Sequence, residues 1–167
     1  MRREGEIELD EDPGAFAADA RLAFIGRVVS PWTSREDCPK NMAAAREARR
    51  GAFIEIAAPY RPGLAGLSRF SHAIVLTWFD RAARNLIVQT PRHASEPRGV
   101  FGLRSPVRPN PIGLHVVRLV GIDETSGRVE IDAIDVLDGT PVVDLKPYFP
   151  SIDAFADAAT GERQEGQ

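Results

Sequence analysis

The sequence predicts a mainly β domain, an antiparallel barrel or sandwich, on three observations. Seven short runs rich in β-branched and aromatic residues recur along the chain. Turn residues separate the runs, and only one stretch reads clearly as a helix. A doubly wound α/β sheet would need long helices between its strands, and the chain has no room for them.

The strand candidates are, in order, residues 23–29 (AFIGRVV), 53–57 (FIEIA), 73–79 (AIVLTWF), 86–90 (LIVQT), 115–122 (HVVRLVGI), 128–136 (RVEIDAIDV) and 142–145 (VVDL). Within 128–136, Val129, Ile131 and Ala133 alternate with acids, and Ile134 and Val136 then take the opposite parity. Such a slip predicts a bulge or a strand that bends between layers. The helix candidate is 42–50 (MAAAREARR), Ala-rich and cationic at its C-terminal end, with an apolar stripe too weak for anything but a surface position.

The 167 residues suit one domain, and 43% apolar with 27% charged residues suits a globular one. Residues 20–155 read as that domain. An acidic segment, 1–19, and a small, polar tail, 156–167, read as flexible ends. With 21 basic against 24 acidic side chains the net charge is −3, which excludes an all-round basic coat. The single cysteine, Cys38, points to a reducing compartment, and with no signal segment the expectation is cytoplasmic. Neither a membrane span nor metal-ligand spacing is found. Dinucleotide, nucleoside triphosphate and α/β-hydrolase motifs are absent too. Lys40, close to Cys38, would lower the thiol pKa.

Four segments carry chemistry. In residues 99–113 (GVFGLRSPVRPNPIG), Pro106, Pro109 and Pro111 fix φ and remove donors. The loop is therefore stiff and carries Arg104 and Arg108, side chains suited to bidentate capture of an anion. From Arg81 to Arg108 there are six arginines (81, 84, 92, 98, 104 and 108) against Glu96 alone, a candidate patch for an anionic partner. Asp135 and Asp138 flank an Asp-Gly turn at a strand end. His72 enters a strand after Gly66–Ser71 and is a candidate acid or base; His93 and His115 have weaker claims.

Together, residues 24–31 (FIGRVVSP), 66–72 (GLSRFSH), 99–113 and 138–148 (DGTPVVDLKPY) resemble the TsaA-like, or TrmO-like, methyltransferase family over residues 20–155. The resemblance implies a single compact β-barrel of mostly antiparallel strands with a few short helices. It implies S-adenosylmethionine as cofactor, a homodimer, and tRNA as partner, with methylation of the exocyclic amine of threonylcarbamoyl-adenosine next to the anticodon. Carried over position by position, it implies cofactor contacts at Arg104, at Pro39, Lys40 and Asn41, and at Asp80 and Arg81. Leu114, Asp135, Val136, Leu137 and Asp138 complete that pocket. Attack by a delocalised amine needs a proton acceptor, for which Asp138 and His72 are candidates by residue type. The alternative is a barrel of this kind that binds a nucleoside, or methylates a small molecule, without tRNA.

Overall fold

The computed structural model describes residues 3–16, 21–91 and 96–159. Within these ranges the elements are β1 (Ile7–Glu8), α1 (Pro13–Phe16), β2 (Gly26–Val29), α2 (Met42–Glu47), β3 (Ala52–Ile56), β4 (His72–Trp78) and β5 (Leu86–Gln89). Then follow β6 (Arg98–Gly99), β7 (Ile112–Asp123), β8 (Arg128–Ile131), β9 (Pro141–Pro147) and α3 (Pro150–Asp153).

Six strands close a barrel in the order β2-β3-β8-β7-β4-β9, with every pairing antiparallel. The period of two decides which side chains fill it. Ile54, Val75, Val117 and Val129 point inward with Val28 and Val142, and all are fully buried. A barrel has no open edge, so six short strands suffice for a continuous core. The run at 86–90 lies outside the barrel. Its strand β5 is the centre of a separate sheet, between β1 and β6. Thus Ile7 and Glu8 of the acidic segment pair with β5, and Glu6 accepts the N–H of Thr90 at 3.0 Å.

Two sequence expectations are corrected. The parity change in 128–136 is no bulge in that strand: β8 ends at Ile131, and residues 132–137 cross the end of the barrel. Side chains from distant elements hold the crossing, with Trp32 Nε1 donating to the Ile134 carbonyl at 2.8 Å and Ser30 Oγ to that of Val136 at 2.8 Å. The bulge lies on the partner strand, β7, between Leu119 and Gly121. The helix also ends early, at Glu47, and Arg49 then turns the chain with a left-handed φ of 51°. Among the described residues no helix is long and apolar enough to cross a membrane.

Candidate functional site

The stiff loop after β6 stays out of the ladder, as its prolines require, and its carbonyls need other donors. Side chains supply them. Arg84 Nε donates to Pro109 O at 2.6 Å, Gln89 Nε2 to Val107 O, and Arg108 Nη2 to Val100 O and, at 2.9 Å, to Leu103 O. Arg108 and Arg84 therefore knit the loop together, which removes them from the expected anion patch. Arg92, of the same patch, and His93 lie outside the described residues. Arg104 is different: it is exposed, and Nη2 reaches Leu114 O at 2.9 Å.

The loop forms one wall of a two-chambered cleft where β4 ends and β7 begins. The first chamber, about 310 Å³, is lined by Pro39, Asp80, Arg81, Val136 and Leu137. The second, about 360 Å³, is lined by Asn41, Arg104 and Leu114. Lys40, Phe79 and Asp135 line both. Segments distant in sequence thus converge because the barrel brings the end of β4, the start of β7 and the crossing after β8 to one rim. Asn41 also caps α2, accepting the Ala44 N–H at 2.9 Å.

Asp138 and His72 are not brought to this cleft. The Asp138 carboxylate accepts the Ser30 N–H at 3.1 Å, and its own N–H donates to Trp32 O, so it fastens a turn. His72 starts β4 while Asp80 follows its end, so a full strand separates them. There His72 Nδ1 is 2.9 Å from Ser71 Oγ, and the ring lies beside Tyr148.

The histidine at the cleft is His115. It is buried on β7, with Nδ1 2.8 Å from Asp135 Oδ1 and Nε2 3.0 Å from Thr77 Oγ1. Phe79 meets its ring edge-on at 6.1 Å. In the neutral ring Nδ1–H donates to the carboxylate, and Nε2 accepts the threonine hydroxyl. The alternation of β7 was the available signal: His115 shares the parity of the inward Val117. Cys38 also lines the first chamber, and its thiol is pushed up to about 11, by burial first and then by the Asp135 charge. The expected lowering by Lys40 is thereby reversed, and the thiol stays protonated at neutral pH.

The cleft offers an apolar slot (Phe79, Val136, Leu137) edged by carboxylates at Asp80 and Asp135 and by cations at Lys40, Arg81 and Arg104. Such a site suits a zwitterion that carries an aromatic group. Among the described residues no group of three or more His, Cys, Asp and Glu side chains is placed to hold a metal.

Comparison with known proteins finds relatives across most of the chain. Residues 27–154 match the tRNA-methyltransferase O N-terminal domain. A probable S-adenosyl-L-methionine-binding protein of Archaeoglobus fulgidus is 40% identical over 87% of this chain, which spans 38% of that relative. A protein of the same description from Methanothermobacter thermautotrophicus is 39% identical over 82% of this chain and 96% of its own length. The tRNA (adenine(37)-N6)-methyltransferase of Escherichia coli is 34% identical over 84% of this chain and 62% of its own length. The crystal structure of TrmO from Pseudomonas aeruginosa superimposes with a TM-score of 0.66 at 35% identity, covering 85% of this chain and 60% of that one.

Proposed function

Because the chain belongs to the tRNA-methyltransferase O N-terminal domain family, we propose that it is a cytoplasmic, homodimeric S-adenosylmethionine-dependent methyltransferase. Its acceptor in this reading is the exocyclic amine of threonylcarbamoyl-adenosine beside a tRNA anticodon. The observation that carries the reading is the shared wall of the two chambers, where Asp135 stands opposite the loop of Arg104. The name of the Escherichia coli relative supports the acceptor, and the names of the archaeal relatives support the cofactor.

The residues present fit the cofactor. Its carboxylate suits Arg104, its ammonium and ribose hydroxyls suit Asp135 and Asp80, and its adenine suits the slot of Phe79, Val136 and Leu137. When bound, it supplies a methyl group made electrophilic by sulfonium. The chain's own part is to align the acceptor amine, exclude water and take up a proton. Asp80 and Asp135 are the carboxylates available in the cleft for that proton. Ile112 and Leu114, exposed on β7 beside the second chamber, offer apolar surface that a second copy would cover.

Loss of the gene is expected to remove one methyl from threonylcarbamoyl-adenosine in total tRNA, read by mass spectrometry of the nucleosides. An unchanged nucleoside profile would leave the second reading, a barrel that binds a nucleoside or methylates a small molecule without tRNA; the archaeal relatives are named for S-adenosyl-L-methionine binding alone.

Calorimetry divides the two loop arginines. Arg104→Ala is expected to weaken S-adenosylmethionine binding by roughly 10- to 100-fold, the loss of about 1.5–3 kcal/mol for a charge-assisted hydrogen bond, with little change in melting temperature. Arg108→Ala is expected to lower the melting temperature, because Leu103 O loses its side-chain donor and Val100 O keeps only the Leu103 N–H. Wild-type affinity in Arg104→Ala would remove that residue from the site.

A further inference from the structure

With Arg84 and Arg108 committed to the loop, two of the six arginines in the arginine-rich stretch are taken up by its carbonyls. We infer that an open groove on the outside of the barrel, lined by Arg46, Arg49, Arg118 and Arg128, binds the phosphate backbone of a single-stranded RNA loop. The inference rests on the reading above that the chain acts on RNA, and it assigns the surface that holds this substrate.

The groove, about 720 Å³, lies between the C-terminal end of α2 and the outer faces of β7 and β8. Only Glu130 and Asp132 oppose its four guanidiniums. Arg128 pairs with Glu130 at 3.0 Å and Arg46 with Asp132 at 3.5 Å. The side chains of Arg49 and Arg118 make no hydrogen bond or ion pair among the described residues. Two guanidiniums without a protein partner thus line one groove, and phosphate oxygens are the acceptors that would suit them. On a chain of net charge −3 such a surplus is local, not general.

Three features hold the groove in shape. Arg46 Nη2 donates to Val116 O at 2.7 Å, which fixes its guanidinium against β7. The Arg128 guanidinium carbon lies over the Phe53 ring, 3.5 Å from its centroid. Arg49 holds φ at 51°, although Gly51, two residues on, would take that conformation without strain. The backbone thus places a long cation where a glycine would be easier.

Its position relative to the cleft fits one strand of RNA. Asn41 and Met42, at the start of α2, line the second chamber, and Arg46 and Arg49, at its end, line the groove. At 1.5 Å rise per residue the six-residue helix spans about 9 Å, roughly two to three stacked nucleotides of a single strand, and Arg49 follows two residues beyond its end. A base turned into the cleft therefore leaves its neighbours' phosphates over the groove.

The test measures binding of a fluorescein-labelled RNA hairpin, shaped as an anticodon arm, to the full chain across a salt series. The double variant Arg49→Ala/Arg118→Ala is expected to bind more weakly. Its slope of log affinity against log salt should be shallower by about 1.4, two phosphate contacts at roughly 0.7 each. Glu130→Gln, which removes an opposing charge, is expected to bind a few-fold more tightly. Arg98→Ala, on β6, is expected to change neither quantity, and calorimetric cofactor affinity should be the same in all variants. A wild-type slope in the double variant, or no gain in Glu130→Gln, overturns the groove while leaving the enzymatic reading in place. Competition by poly-glutamate as effective as by unlabelled RNA overturns it in favour of an acidic protein partner. No hairpin binding by the wild type at low salt overturns the RNA reading itself, with cofactor binding still measurable.

Discussion

Gly113→Ala is expected to lower the melting temperature by roughly 4–8 °C, the equivalent of about 2 kcal/mol in a domain of this size. Propensity alone argues the other way, since alanine normally improves on glycine inside a strand. Sterics decide the sign. A Cβ at Gly113 would collide with Thr77 Oγ1 and stand 2.6 Å from His115 Nε2 and 2.8 Å from Phe79 Cε2. None of the three can swing away cheaply: Thr77 and His115 are buried and bonded to each other, and Phe79 packs on the His115 ring. The methyl group must therefore break the Thr77–His115 hydrogen bond or push Phe79 into the cleft. Cofactor affinity should fall in the same variant, because Phe79 lines both chambers. Gly63→Ala is the control, as no atom outside its own stretch of chain lies within 4 Å of its Cβ position. Thermal denaturation followed by circular dichroism gives the comparison. Equal melting temperatures for Gly113→Ala and Gly63→Ala would mean that the wall of the cleft yields freely.

Substitutions at Asp135 are expected to separate support from binding. Asp135→Ala leaves His115 Nδ1 buried without its acceptor, at a cost of about 1–3 kcal/mol in stability. Asp135→Asn keeps an oxygen for that nitrogen and should melt close to the wild type. The asparagine has lost the charge, however, so a bond to a cationic group weakens from the charge-assisted to the neutral range, about 1.4 kcal/mol or tenfold in affinity. Calorimetry with S-adenosylmethionine and a melting curve on both variants provide the check. Full affinity in Asp135→Asn would confine Asp135 to holding His115.

The barrel was legible in the sequence because β3, β4 and β8 keep strict alternation. Ile54, Val75 and Val129 each sit between residues that face outward, and period two is a local property. What the sequence hid depends on contacts between distant segments. Nothing local distinguishes β5, which joins β1 and β6, from a barrel strand. The acids Asp135 and Asp138 stand three positions apart on one turn. The one that faces the cleft is decided by Trp32 and Ser30, which come from about a hundred residues earlier and bind the backbone on either side. His72 and Asp80 were already legible as the two ends of one strand. A seven-residue strand puts them about 20 Å apart along the barrel wall. The arginines of the stiff loop looked alike on paper, and their division of labour follows from which carbonyls the prolines left unpaired.

That loop has a thermodynamic consequence. Three prolines narrow the conformations of the chain even when it is unfolded, and side-chain donors fix its carbonyls when it is folded. Its shape is thus settled before any ligand arrives. Association at the cleft then carries no disorder-to-order contribution from this wall, and the heat-capacity change on binding reflects the apolar surface covered by the ligand alone.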